Sequence, residues 1–356
     1  MTLHYFTVAT FNAKNLVSPG VSYYGKKPYT KTEYRKKLNW MAEQLHRMDA
    51  DFVCLQEVFH PETIEDLSDR YDALLKKLYS PTKARRDQYD HRWHLANANG
   101  TEDDPSPGLA ILSRRKLREC VSVQDLTDDP IEIEESEGLR YRLDRLSRPL
   151  MIVKADLGKG VDGWIFNSHL KSKRPLYPAG SRAGNERNFL FQERAEASFR
   201  SLALRAGEAL ALRREILARL EGTTDPVLVV GDLNDEIGAV TNELIRGEAP
   251  WRGWRFDVKT RFWDVEMYSA VRSHLRRSEH SSIYTHIYNG HYGTIDHIYV
   301  SQEFYYRNPR RIGDINFVQN FNDHLTDDSI RGAPPLGDAS DHGQLAVRLS
   351  IDPDRM

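Results

Sequence analysis

The sequence predicts an α/β sandwich, not a single parallel sheet. Short apolar runs of strand character recur from residue 4 to residue 351. Amphipathic helical patterns separate some of these runs, while others follow one another with no helix between them. A sheet wound only from parallel strands would need a long crossover at every step.

HYFTVATFN (4–12) reads as the first strand, followed by a loop rich in Gly, Pro and Tyr, SPGVSYYGKKPYT (18–30). Thr30 and Glu33 have capping-box spacing. Behind them Tyr34, Leu38, Met41, Leu45 and Met48 recur every three or four residues, as on the buried face of a helix. ADFVCLQEV (50–58) is the next strand, and PETIEDLSDRYDALLKKLYS (61–80) is helical, with Pro61 tolerated in its first turn. GLAILSRRKL, LMIVKADLG and GWIFNSHLK read as three more strands, and the acidic DLTDDPIEIEESEGLR (125–140) as a solvated excursion between the first two. A long helical pattern spans residues 189–220, with Phe199, Leu202, Ala206, Leu210, Leu217 and Leu220 on one side. Gly207 costs that helix about 1 kcal/mol relative to Ala and marks a candidate kink. PVLVVGDLN (226–234), SSIYTHIYN (281–289), TIDHIYVS (294–301) and GQLAVRLSI (343–351) complete the strands. There are no repeats, and no composition shift marks a domain boundary.

A chain of 356 residues allows one to three domains. Charged residues make up 29% and apolar residues 40%, the balance of a soluble globular protein. The net charge of -2 gives no overall pull toward nucleic acid or anionic membrane, so attraction for a polyanion must come from local patches. Cys54, inside an apolar run, and Cys120 are the two cysteines, which excludes a disulfide framework and a cysteine metal site. MTLHYFTVATFN alternates into a strand at once, without secretory-signal character, and no run approaches the roughly 20 apolar residues of a membrane span. The expected location is the cytoplasm.

Several strand ends carry polar groups that a simple core would not want. These are Asn12, Glu57, His169, Asp232 with Asn234 in VVGDLND, and Asp296; Asp341 and His342 stand just before the last strand. Taken singly each has a bland explanation, because Asp or Asn after a strand is ordinary turn chemistry. Together they supply two complementary chemistries. Asn12, Glu57 and Asp341 offer the oxygen donors that Mg²⁺ takes. Two histidines with nearby acids offer proton transfer near neutral pH. No zinc-type Cys/His spacing, Gly-rich phosphate loop or dinucleotide-binding fingerprint competes.

With these motifs the chain resembles the endonuclease/exonuclease/phosphatase superfamily, the DNase I-like fold. GDLND matches its Gly-Asp-x-Asn, IDHIYVS its Asp-before-strand motif and SDH its terminal signature, while FNSHLKSK looks like the His motif of the DNase I and sphingomyelinase branches. The resemblance runs from ATFNAKNL to SDH, essentially the whole chain. It implies a four-layer α/β sandwich, two packed mixed β-sheets flanked by helices, forming one catalytic domain over residues 1–356 with insertions at about 122–140 and 171–222. It implies a divalent cation, Mg²⁺ with Mn²⁺ as the alternative, held chiefly by Glu57 and completed by Asn12 and Asp341. Asp232 and Asn234 would orient the attacking water and the phosphate, and Asp296 would hold His342 as the general base. Asp232 is the alternative base. His169 would bond the scissile phosphate and assist the leaving oxygen.

The substrate reading rests on KSKRPLYPAGSRAGNER (171–187), where Lys171, Lys173, Arg174, Arg182 and Arg187 face one acid, Glu186, around Tyr177. Cations interleaved with an aromatic next to a phosphate-cleaving centre suit a nucleic-acid backbone. YYGKKPYTK (23–31) offers a second wall or a solvated loop. The leading expectation is a nuclease acting on DNA or RNA. The alternative is a phosphatase or phosphodiesterase acting on a small molecule or lipid headgroup, because one superfold hosts both. A non-catalytic binding module comes third, since every motif position keeps its functional residue.

Overall fold

The computed structural model describes residues 3–101, 103–136, 138–182, 190–276, 282–327, 329–330 and 338–355. The chain opens with β1 (His4–Leu16), α1 (Lys31–Met48), β2 (Phe52–Val58), α2 (Glu62–Leu78), α3 (Pro81–Arg86), β3 (His91–Leu95) and β4 (Gly108–Ser113). It continues through β5 (Leu117–Asp125), β6 (Ile131–Ser136), β7 (Leu139–Leu143), β8 (Arg145–Gly158), β9 (Val161–His169) and α4 (Phe191–Leu220). Next come β10 (Val227–Asp232), α5 (Val240–Arg246), α6 (Phe256–Val265), β11 (Tyr268–Ser269) and α7 (Ala270–Leu275). The strands β12 (His286–Tyr288), β13 (His291–Gly293), β14 (Asp296–Val300), β15 (Gly313–Phe321) and β16 (Gln344–Ile351) close the chain.

Two six-stranded sheets form, ordered β15-β16-β1-β2-β4-β3 and β11-β14-β10-β9-β8-β5. Both are mixed: β1 is parallel to β2 and antiparallel to β16, and β10 is parallel to β9 and antiparallel to β14. Alternate residues of each strand point to opposite faces. Phe6, Val8, Phe52, Cys54 and Ile111 therefore meet Val153, Ile165, Leu228, Val230 and Ile298 in a core between the sheets. The opposite face of the first sheet packs Phe11, Val53 and Leu55 against Leu38, Met41 and Leu45 of α1 and Leu67 of α2. The opposite face of the second packs Phe166, Val227 and Val229 against Leu212 and Ile216 of α4. Helix, sheet, sheet, helix is the four-layer sandwich expected.

The capping box is present: Glu33 N donates to Thr30 Oγ1 at 3.2 Å and Thr30 N to Glu33 Oε2 at 2.7 Å. The buried face of α1 carries the five apolar residues read from the sequence, together with Lys37 and Gln44.

In α4 the buried side matches the expected one only in part: Leu220 is buried and Leu210 packs against the same core, but the rest of the stripe shifts. Phe199 is 67% exposed and Leu202 45% exposed, while Ala197, Ser201, Arg205, Glu208, Leu212 and Ile216 face inward. Arg205 and Glu208 reach polar groups at the edge of the second sheet, so the stripe that packs is partly charged. The helix runs unbroken through Gly207, where a side chain would collide with Tyr141 and Leu143 of β7. The acidic excursion is ordered for the same reason: β6 and β7 pair as a hairpin, Ile131 is buried, and Tyr141 Oη donates to Ala203 O at 3.0 Å. SSIYTHIYN supplies only the short β12, paired with β13. Among the described residues no helix is long and apolar enough to cross a membrane.

Candidate active site

Strand direction gathers the polar residues. The parallel pairs β1/β2 and β9/β10 finish at one edge of the sandwich, and the antiparallel partners β14 and β16 start there. Chain ends from both sheets thus carry Asn12, Glu57, His169 and Asp232, and chain starts carry Asp296 and His342. Asp232 lies opposite His169 on one side and Asp296 on the other. Beneath them the sheets are locked by a buried amide layer. Gln56 Nε2 donates to Asn167 Oδ1 at 2.8 Å, and Asn167 Nδ2 donates to the carbonyls of Leu55 and Ala110. Buried amides cost free energy unless every group is paired, so this layer fixes how the two sheets meet.

Gly231 is what lets Asp232 arrive in this position. Its φ is +148°, and a Cβ there would strike the Ser168 carbonyl of the neighbouring strand. Immediately afterwards Asn234 adopts φ +55°, and its N–H donates to Asp232 Oδ1 at 2.9 Å. The Asn234 side-chain amide donates to Leu170 O at 2.9 Å, tying the turns after β9 and β10 together.

Asp232 is the hub. Its Oδ2 accepts from Asn12 Nδ2 at 3.0 Å and lies 3.4 Å from His169 Nε2 and 3.8 Å from His342 Nε2. The other ring nitrogen of His342, Nδ1, lies 2.9 Å from Asp296 Oδ2. Burial, with the neighbouring Asp296 charge, holds the Asp232 carboxyl well above the usual range, although His342 and the Asn12 amide pull it down. For His342 burial pulls the other way, and the carboxylates of Asp296 and Asp232 overcome it, so its pKa stands well above 6.5. Burial keeps His169 neutral, aided by the charges of Arg148, His342 and Lys171. One buried carboxylate therefore lies 3.4 and 3.8 Å from two imidazoles, the second of them oriented by another acid.

Glu57, near the end of β2, has φ +59°, and its Oε2 accepts from Asn15 N at 2.8 Å. Asn15 and Lys14 are also left-handed, and Lys14 N donates to Asn12 Oδ1 at 2.9 Å. Asp341 lies 3.5 Å from Lys14 Nζ. Burial opposes its ionisation, but the charges of His342 and Lys14 hold its pKa below the usual value. Ser340 Oγ donates to Asn12 O at 2.8 Å, which anchors this segment to β1. Beside Glu57, Asn15 Oδ1 is buried without a hydrogen-bond partner. Glu57 and the unpaired Asn15 amide oxygen are oxygen donors of the kind a hard divalent cation takes, and Asp341 is a further carboxylate on the Lys14 side of β1. Asp232, Asp296 and His342 also offer donor atoms within 4.8 Å of one another. His342 and Asp296 are already bonded to each other, which favours proton handling for that group.

The basic loop is largely tied to the scaffold. Glu208 accepts from Lys171 N at 2.6 Å and Ser147 N at 2.8 Å. Lys171 Nζ turns back to Ser172 O and Arg174 O, and Lys173 Nζ lies 3.1 Å from Asp235 Oδ1. Arg205 Nε completes the group at 3.1 Å from Asp235 Oδ2. Burial, with Arg148 nearby, lowers Lys171 to about 8. Arg174 and Arg182 are exposed, and Arg187 lies outside the described residues.

Sequence reasoning passed over Arg148, Gln56, Asn167 and Lys37. Arg148, just before the buried part of β8, donates from Nη1 to Leu170 O at 3.1 Å and acts electrostatically on His169. Lys37 is fully buried and donates to Lys14 O at 3.0 Å, bracing the turn that carries Asn12 and Asn15. Each is a polar residue inside or beside an apolar run, and that was the available signal.

A family model described as the Endonuclease/Exonuclease/phosphatase family matches residues 9–342. An endonuclease/exonuclease/phosphatase family protein from Bacteroides thetaiotaomicron is 13% identical, with 99% of each chain covered and a TM-score of 0.52. The human Nocturnin catalytic domain, solved with bound sulfate, is 14% identical over 98% of this chain and 97% of its own, with a TM-score of 0.53. A humanized D. rerio TDP2 is 16% identical over 97% and 98%, with a TM-score of 0.50. At such identities these likenesses speak for the fold. No curated protein matches the sequence.

Proposed function

The chain belongs to the endonuclease/exonuclease/phosphatase family, whose members are phosphoesterase hydrolases, and from that premise we infer that it is a divalent-metal-dependent nuclease hydrolysing phosphodiesters of DNA or RNA. The observation that carries this reading is the Asp232 carboxylate, reached by Asn12, His169 and His342 together, with Asp296 behind His342. Attack of water on a phosphodiester adds negative charge to an anionic centre, and the site must both remove a proton and stabilise that charge.

Glu57 and Asp341, with Asn12, would hold the cation, which when bound supplies positive charge to the phosphoryl oxygens. Asp232 and the Asn234 turn orient the water. His342 accepts its proton once Nε2 has released the one that the neighbouring carboxylates hold there, and Asp296 on Nδ1 steadies the ring. His169 donates to the phosphate and assists the leaving oxygen, while Arg174 and Arg182 of the basic loop meet the flanking backbone. Residues 1–356 act as one catalytic domain, because Asn12 and His342, near opposite ends of the chain, approach the same carboxylate.

The test is hydrolysis by the purified protein with Mg²⁺ or Mn²⁺, offered plasmid, single-stranded DNA, RNA, a diester dye or phosphorylated inositols in separate reactions. Nucleic-acid cleavage that is lost on chelation and in Asp232→Ala is the expected result. Intact nucleic acid beside a hydrolysed small ester would move the assignment to a small-molecule phosphatase or phosphodiesterase. Silence on every substrate would leave a binding module.

A further inference from the structure

Two groups of aromatic rings border the Asp232 centre, one reached through His342 and the other through His169 and Arg148. His342 pairs with His286 in an isolated bridge, their rings 5.3 Å apart. His286 in turn stacks on Tyr288 at 6.3 Å and 19°, and Tyr288 at the tip of the β12–β13 hairpin is 62% exposed. At the other border the charges of Arg148 and Glu57 both act on the Tyr24 hydroxyl. Tyr24 is 53% exposed. Phe59 at 5.8 Å and Tyr23 at 6.3 Å prop it edge-on, and Lys26 lies over the Tyr23 ring. Arg148 Nε is buried without a partner. A guanidinium with an unsatisfied buried donor, next to a neutral histidine and a phosphate-cleaving carboxylate, is suited to an anion.

Resting on the phosphodiester reading above, we propose that Tyr24 and Tyr288 each stack one base of a single-stranded nucleic acid, with Arg148 binding a backbone phosphate between them and the catalytic centre. Every base offers a π-face, so such stacking tolerates sequence, but the face is available only when the base has left its helical neighbours. A duplex hides those faces. A phosphorylated sugar or inositol has no aromatic face to place, whereas two exposed rings border this site.

The experiment measures fluorescence anisotropy of short labelled single-stranded DNA and RNA, and of the matching DNA duplex, at one salt concentration with Mg²⁺. The protein is the full chain carrying Asp232→Ala, so that substrate persists. The single strands should bind at least about tenfold more tightly than the duplex. Adding Tyr24→Ala or Tyr288→Ala should each weaken single-strand binding about tenfold, while Tyr24→Phe and Tyr288→Phe keep most of it. Equal affinity for duplex, alanine variants that bind like their parent, or no binding at all would each overturn the proposal. Parallel cleavage assays with Asp232 intact separate the two readings. Aromatic-dependent binding without cleavage removes the nuclease and leaves the stacking sites, whereas cleavage indifferent to both tyrosines removes the stacking sites alone.

Discussion

Asn12 Nδ2 donates to Asp232 Oδ2 across 3.0 Å, joining the site ends of the two sheets through residues 220 positions apart in the chain. This bond favours the ionised form of a carboxylate whose pKa burial otherwise raises. Asn12→Ala should lower kcat on a nucleic-acid substrate by about a hundredfold or more, the cost of losing one positioned donor, with the circular dichroism spectrum unchanged. Asn12→Asp should add a stability loss at pH 8 of about 1–3 kcal/mol by urea denaturation, since a second acid then faces Asp232. A variant pair with parental turnover would detach Asn12 from the chemistry.

Asp296 holds His342 from the opposite side, Oδ2 to Nδ1 at 2.9 Å, and its own N–H is fixed on Thr285 Oγ1 at 3.1 Å. Asp296→Asn keeps the size and the backbone anchor but can offer His342 a donor where it needs an acceptor. A comparable exchange behind a catalytic histidine costs about 10⁴ in kcat, and a loss of about 10³ to 10⁴ is expected here. The thermal midpoint should move little. Rates within a few-fold of the parent would mean that His342 is not the base.

What the sequence made legible was local and repetitive. The capping box at Thr30 and Glu33, the α1 stripe and the apolar body of β10 follow rules that span a few residues, and each stands where those rules put it. The polar residues at strand ends were visible for the converse reason, as breaks in a pattern. What stayed hidden depended on distant partners. The buried face of α4 was read only in part, because Arg205 and Glu208 gain burial by meeting Asp235 and the β8 and β9 ends. The edge strand β15 has the mixed sequence GDINFVQNF, whose pairing comes from β16 and not from its own pattern. Arg148 reads as one of many surface arginines until β8 and β9 are aligned and its guanidinium falls beside Leu170 and His169.

The turn after β10 yields a stability prediction. Gly231 combines φ +148° with a neighbour, the Ser168 carbonyl, that leaves no space for a methyl group. Gly231→Ala must shift either β9 or β10 at the point where His169 and Asp232 face each other. A loss of about 2–4 kcal/mol in urea unfolding is expected, the range of backbone strain plus overpacking. Residual activity should fall by more than the folded fraction does, because the same shift moves the hub carboxylate. Gly207→Ala, blocked by Tyr141 and Leu143 and by no residue of that turn, should lose stability while each folded molecule keeps its rate.

Glu303 predicts how stability changes with pH away from the site. It lies in the short 3₁₀ turn Gln302–Phe304, nearly inaccessible, and accepts from Ser301 Oγ at 2.5 Å. Ser301 Oγ itself accepts from Val227 N at 2.9 Å, so its proton is committed to Glu303. Burial raises the Glu303 pKa from 4.5 to about 7, and the charges of Asp264 and Asp225 add to the rise. Between those two values the folded chain keeps a proton that the unfolded chain has released. The stabilisation is therefore full below about pH 4.5 and is lost as pH climbs through 7, by about 3 kcal/mol at most. Glu303→Gln carries a neutral group at every pH, so it should match the parent near pH 5 and exceed its stability at pH 8. Urea denaturation of both proteins from pH 5 to 8 reads this as a widening difference. A difference that stays constant across the range would show that Glu303 ionises normally despite its burial.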